Sequence, residues 1–393
     1  MTYQINSLVQ TLDSLRRATN AAASYRPVDP RTAIAECLPE RLQPFLTWLT
    51  ARPRLGEPIR DRSPLFFVRV AAIQIVLGVA LAAVGLHVSA VPAMALIGLG
   101  WLIACAGLGL VQVVVFHHCS HGTVFKRRET NILVGRLIST LLLFKHFDAY
   151  KSEHMLHHNH NKLLTDEDEF AGFVFGMCGL APAISKFRLW RRVVMCLVSP
   201  WFHARFLVRR IRAAWVSPDR TGTAIGVAAW IGIVALAAAT GQLATLLWAW
   251  VIPVTVLLQI ATVFRILCEH RFPEPEMILT RGKDFASHAT AGVFPGSMPP
   301  RRSATTVAGF ALWTLWWADM LTLQLFVRLF VLVGDAPCHD YHHRRPASRK
   351  WTSYIQAREA DLTKSYYQES WGLFRAIDEN LASLARTPEG LVG

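Results

Sequence analysis

Four stretches of the chain carry apolar residues in runs long enough to cross a bilayer, which takes about 20 residues. They cover about residues 66–88, 90–116, 221–239 and 243–264. Only Thr240, Gly241 and Gln242 separate the last two runs, and the first two adjoin just as closely, so the pattern predicts two helical hairpins. Arg69 lies near enough to the start of the first run to snorkel outward. Three further apolar stretches cover residues 131–144, 170–184 and 305–333. The first two are short for a span. The third contains Asp319, Gln324 and Arg328 in its second half, where a central charge costs about 2.5 to 3.5 kcal/mol. All three are expected to be helices lying in the interface or packed under a cytosolic domain. A fifth span would carry everything after it to the other side of the membrane.

The flanks orient the hairpins. Both short turns lack Lys and Arg, whereas the segment before the first hairpin and the loop between the hairpins are crowded with them. Both turns are expected outside, and both long loops and both termini in the cytosol. Residues 1–63 read as a cytosolic extension, with an amphipathic start, Pro27 and Pro30, a second helical stretch to Leu49 and a Pro- and Arg-rich linker. Residues 64–350 form the membrane domain, and residues 351–393 a helical cytosolic tail. The predicted fold is all-α and integral to the membrane, with four transmembrane helices in two hairpins and a helical cytosolic cap.

Composition agrees. Charged residues make up 17% of the 393, below the roughly 25% of soluble domains, and hydrophobic residues 52%. The net charge is +14, and 16 of the basic residues fall between Lys126 and Arg220. Because that stretch lies between apolar runs, anionic headgroups are the expected partner and nucleic acid is not. Seven scattered cysteines, never in a C-x-x-C pair, give no disulfide framework or zinc ribbon and suit a reducing compartment. The first 30 residues contain no apolar core of a signal peptide.

The candidate chemistry lies in the histidines. Ten of the 15 fall into three short groups: His117, His118 and His121; His154, His157, His158 and His160; and His339, His342 and His343. Residues three and four apart share a helix face, so each group aims two or three imidazoles in one direction as half of a metal site. H-x-x-H-H occurs twice, whereas roughly 0.02 copies are expected by chance at this histidine content. The charge rule places all three groups on one face of the membrane. Eight imidazoles exceed what one ion can use, so two ions are implied. Imidazole suits Zn, Cu, Fe and Ni alike. A zinc peptidase is disfavoured because H-E-x-x-H needs a glutamate where His118 stands. A non-enzymatic haem carrier or metal transporter would place ligands within the spans, and the last two spans are nearly free of them.

In the order H-x3-H, H-x2-H-H and H-x2-H-H, the groups resemble the three histidine boxes of the membrane fatty acid desaturase and hydroxylase superfamily, over roughly residues 65–350. That resemblance implies a non-haem di-iron site in a cytosolic cap above four transmembrane helices, with ligands His117, His121, His154, His157, His158, His339, His342 and His343. It also implies a ninth ligand shortly after the fourth span, here His270 in Arg265-Ile-Leu-Cys-Glu-His270. His118 replaces the acidic residue common in the first box. It and His160 are left as further ligands or hydrogen-bonding residues, and His146 and His288 read as ordinary loop histidines. Asp166, Asp168, Glu269 and Asp340 are candidates to orient the ligands from behind.

The function implied is O2-dependent oxidation of an unactivated C–H bond in a lipid-like substrate, most simply fatty acyl desaturation, with hydroxylation the alternative. The chain shows no fused cytochrome b5, iron–sulfur or rubredoxin module. Electrons are therefore expected from a separate ferredoxin, cytochrome b5 or rubredoxin type donor, docked electrostatically at Arg344, Arg345, Arg349 and Lys350.

Overall fold

The computed structural model describes residues 29–216, 219–282, 284–362 and 367–392. The amphipathic start expected in residues 1–28 lies outside the described residues. The protein is an all-α integral membrane protein, in which two three-residue strands, Gly292–Phe294 and Glu369–Trp371, pair in parallel. Five described helices are long and apolar enough to cross a membrane: Pro64–Gly85, Val91–Ser120, Arg220–Ala239, Leu243–Glu269 and Val307–Val331. The first four are the helices of the two predicted hairpins.

The first hairpin is held by small residues. Ala71, Gly78, Ala82 and Gly85 are the buried positions of its first helix, spaced so that they form one stripe. Apolar side chains on the remaining faces are exposed, as suits a lipid-facing helix. Lipid is as apolar as leucine, so close backbone approach rather than burial drives such pairing. A Cβ added at Gly100 would lie 2.6 Å from the Ala82 nitrogen and from the Gly78 carbonyl oxygen. The second hairpin turns at Gly241, whose φ of +70° suits glycine.

Wide π-helical turns interrupt the spans that lead to the histidines. One covers Val111–Phe116, directly before His117. Two more, Leu246–Val251 and Pro253–Leu257, flank Ile252 in the fourth span. Pro253 has no N–H to donate and its ring clashes with the preceding turn, which accounts for the irregular path there. Each wide turn rotates the face that follows it.

Of the three shorter apolar stretches, the first is the helix Arg128–Leu142. The second is helical only from Glu169 to Met177. It leads into two basic amphipathic helices, Lys186–Val198 and Pro200–Trp215, which expose Phe187, Val198 and Trp201 beside arginines, as interfacial helices do. The third, Val307–Val331, meets the length and composition of a span, yet Trp316 and Met320 pack against Ile34, Leu46 and Leu49 of the extension helices Pro30–Cys37 and Gln43–Thr50. Arg328 donates from Nε to the Trp48 carbonyl at 2.9 Å. Asp319 receives hydrogen bonds from Ser297 and Gln324 at 3.3 Å, and so is not an unpaired charge.

The C-terminal residues join a second, larger core. Trp351, Tyr354, Ile377, Leu381 and Leu384 are buried with Leu267, Val331 and Tyr341. Asn380 Nδ2 donates to the Leu267 carbonyl at 2.9 Å, which docks the helix Leu373–Arg386 on the end of the fourth span.

Gly100→Val is expected to destabilise the first hairpin by about 1–3 kcal/mol, because the added methyls meet backbone that cannot yield. A lowered melting temperature in detergent is the readout, with Gly98→Val, where a Cβ meets nothing within 4 Å, as the neutral comparison.

Candidate metal centre

Four helix ends converge on the histidines. His117 and His121 lie at the C-terminal end of the second span. His154, His157 and His158 close the helix Phe147–His157. The fourth span ends at Glu269, and His270 leaves it in an extended conformation, φ −111° and ψ 153°. His339, His342 and His343 form the short helix His339–Arg344. Three of these are C-terminal ends, which carry partial negative charge and favour a cation where they meet, whereas His339 opens its helix.

Eight of the nine predicted ligands fall into two groups, and the ninth, His158, lies beside them. In the first, ligand atoms of His117, His121, His154 and His342 all lie within 4.8 Å of one another; in the second, those of His157, His270, His339 and His343 do. His158 is 3.0 Å from His154, Nε2 to Nε2, with its ring centroid 4.5 Å from that of His343. The other close Nε2 pairs are His117 with His342 at 2.8 Å, His121 with His154 at 3.0 Å, His157 with His270 at 2.9 Å, and His339 with His343 at 3.1 Å. Ligands at right angles around an ion with bonds of about 2.1 Å would stand about 3.0 Å apart. Two nitrogens presenting lone pairs at such distances repel unless a cation lies between them, so the donor set fits two metal ions.

Groups behind the rings fix which nitrogen faces inward. Asp168 Oδ1 is 2.7 Å from His157 Nδ1, and the carboxylate also accepts from the backbone N–H groups of Leu164 and Phe170. The phenol oxygens of Tyr150 and Tyr354 stand 3.2 Å from Nδ1 of His117 and His342. With Nδ1–H donating outward, Nε2 keeps its lone pair for the centre. Burial, and then neighbouring imidazoles, hold His154, His158, His270, His339, His342 and His343 well below the usual imidazole pKa. Burial likewise lowers His121 to about 3. Neutral rings are the ligating form.

The remaining candidates lie elsewhere. His118 turns away from both groups: its Nε2 is 3.0 Å from Asp335 Oδ2, and its ring stacks on Trp351 at 4.3 Å. His160 is half-buried in the following turn, where its carbonyl accepts from Arg281. Asp166 is exposed, and Glu269 pairs with Arg265 at 3.2 Å. Asp340 meets no imidazole. Its carboxylate takes three hydrogen bonds of 2.7–2.9 Å from the buried Arg358, which also reaches Glu369, as does Arg52 of the N-terminal extension. The third box is thereby tied to both ends of the chain. Arg344 and Arg345 pair with Asp361, whereas Arg349 and Lys350 are exposed. Asp335, Tyr150 and Tyr354 are absent from the sequence candidates. Tyr150 stands four residues before His154, a spacing that points to one helix face, but the other two have no local signal.

A cavity of about 240 Å³ reaches from the histidines down between the second and fourth spans. His117, His154, His157, His270 and His339 line it together with Phe116, Phe170 and Phe173 and with the charged Lys145, Glu169, Arg209, Arg210, Arg265 and Glu269. A second cavity of about 320 Å³, between the N-terminal extension and the first span, touches none of the nine histidines.

Fold and site together define a histidine-rich polytopic membrane protein whose helix ends form a site compatible with metal binding. Residues 92–370 match the family model described as fatty acid desaturase, and the chain belongs to that family. The assignment makes it an oxidoreductase in general terms. No curated protein matches the chain.

Two outcomes are expected. Asp168→Asn, which removes the charge behind His157, should weaken metal binding by roughly 10- to 100-fold in a chelator competition. Arg358→Ala should cost about 3–5 kcal/mol of stability by leaving the buried Asp340 charge unpaired, read as a large fall in melting temperature.

Proposed function

We propose that the protein is an O2-dependent di-iron oxidoreductase that removes hydrogen from an unactivated C–H bond of a lipid-like substrate, acting as a fatty acyl desaturase. The observation that carries this reading is that both four-histidine groups face one cavity between the second and fourth membrane helices. His117, His121, His154, His158 and His342 would hold one ion, and His157, His270, His339 and His343 the other. Imidazole does not select iron over zinc or copper, and iron follows from the family. When bound, the iron pair supplies the activation of O2 and the route for electrons.

The chain's own residues do the rest. Asp168, Tyr150 and Tyr354 orient the imidazoles and keep Nε2 free of a proton. Phe116, Phe170 and Phe173 keep water from the cavity and hold an apolar chain beneath the histidines, where positioning is the protein's main contribution. Electrons come from a separate donor of ferredoxin, cytochrome b5 or rubredoxin type, attracted by the exposed Arg349 and Lys350.

The same reading gives four spans with the site and both termini cytosolic. His270 follows the fourth span, and His339 follows the Val307–Val331 helix, yet their rings lie 4.9 Å apart. A helix that crossed between them would deliver His339 to the opposite face. Val307–Val331 instead lies along the interface, with the extension helices on one side and Phe310, Leu315 and Leu321 exposed toward lipid on the other.

Expression of the full chain with a competent reductase and donor, followed by mass analysis of extracted lipids, tests the assignment. Loss of two mass units on an acyl chain is expected, at two irons per purified chain. A gain of sixteen would make the enzyme a hydroxylase, and neither change in the presence of iron, O2 and reductant would overturn the oxidative reading.

A further inference from the structure

Cys178 and Cys196 stand 18 residues apart in the chain and meet in the fold. Cys178 ends the helical stretch from Glu169 to Met177, and Cys196 lies in the interfacial helix Lys186–Val198. The Cys196 thiol donates to the Cys178 carbonyl, sulfur to oxygen 3.5 Å, and accepts in turn from the Cys178 S–H. Both residues are buried, at 5% and 7% exposure, yet they border a surface groove of about 300 Å³ together with Arg192, Arg205, Met195 and Trp201. Arg205 reaches the Gly176 carbonyl at 3.4 Å and the Met177 sulfur at 3.6 Å, and Arg192 donates to the Gly179 carbonyl. Two guanidinium groups are thereby held against the backbone on either side of Cys178.

A buried thiol is ordinarily pushed up by loss of solvent and stays inert. Cys196 departs from this. The hydrogen bond from Cys178, helped by the Arg205 charge, holds its thiol below the ordinary range in spite of burial. The same hydrogen bond, together with burial, raises the thiol of Cys178. One sulfur is thus readied as a thiolate while its neighbour keeps a proton. A thiolate is the form that attacks peroxides, and a second thiol alongside captures the oxidised product. Sulfurs this little exposed admit a small uncharged oxidant and exclude a charged peptide disulfide.

We infer that Cys178 and Cys196 form a redox-active dithiol, with Cys196 the attacking sulfur, Cys178 the resolving one and hydrogen peroxide the oxidant. Attack of the Cys196 sulfur on one peroxide oxygen breaks the O–O bond. Cys196 becomes the sulfenic acid, and the departing hydroxide takes the proton that the thiol released and leaves as water. The Cys178 sulfur then attacks the Cys196 sulfur, gives up its proton and displaces the hydroxyl as a second water. Two thiols lose two electrons and two protons in all, and the peroxide is reduced to two waters. The bond would tie the cavity wall that carries Glu169, Phe170 and Phe173 to an interfacial helix. Nothing in this depends on the reaction assigned to the histidines.

Treatment of the full-length protein in nanodiscs with hydrogen peroxide tests it, followed by blocking of the remaining thiols, tryptic digestion and mass analysis. Cleavage after Lys162, Lys186, Arg192 and Arg205 puts the two cysteines on separate peptides, 163–186 and 193–205. The expected product is these two peptides joined, two mass units below their sum, and parted again by a dithiol reductant. It should form roughly tenfold faster than the exposed Cys37 is oxidised. Cys178→Ser is expected to stop at a Cys196 sulfenic acid that dimedone captures, and Cys196→Ser to leave Cys178 reduced. The decisive measurement is made on the parent protein, so a variant that fails to fold leaves it standing. Oxidation of Cys37 with no joined peptide, or dimedone capture at Cys178 in Cys196→Ser, would overturn the dithiol.

Discussion

Nine imidazole nitrogens whose lone pairs converge at 2.8–3.1 Å are the constraint that the rest of the molecule serves. Left to themselves these dipoles repel, and each ring would turn to water or take a proton. The protein prevents both. Asp168, Tyr150 and Tyr354 meet the outward Nδ1 of His157, His117 and His342, and helix C-terminal ends supply a potential that favours cations. Further out, Asp340 and Arg358 bind the third box to the C-terminal strand, and Arg52 extends the same network to the N-terminal helices.

The membrane helices set the height at which this happens. Close glycine contacts fix the first hairpin, and wide π turns before His117 and around Pro253 rotate the helix ends toward the centre. Because the second and fourth spans deliver their histidines to one level, the cavity between them borders both histidine groups.

Much of the fold is legible along the chain because lipid imposes a simple rule: a helix that faces it must be apolar on nearly every side. The two hairpins follow from run length alone. Val307–Val331 is harder, since 25 residues of suitable hydropathy satisfy the same rule. Its Trp316 and Met320 pack on Ile34, Leu46 and Leu49, partners some 270 residues earlier that no local pattern announces. Asp335, Tyr354 and the Asp340–Arg358 pair were hidden for the same reason. A carboxylate beside a histidine in sequence, such as Glu269 or Asp340, turns to an arginine, while the carboxylate that meets His157 is eleven residues away.

Sequence alone determined that three histidine boxes exist, that each aims its rings to one side of a helix, and that charged flanks favour a common membrane face. Spacing is a property of one helix, and 100° per residue suffices to read it. Only the tertiary structure decided how the rings are shared. His154 and His157 of one box serve different groups, and His342 joins His117 while its neighbours His339 and His343 join His270. Rings three residues apart diverge by about 60° around the helix axis, so the second and third boxes fan across two centres, whereas His117 and His121, four apart, share one. Which ring reaches which centre depends on where the other helices place their own nitrogens.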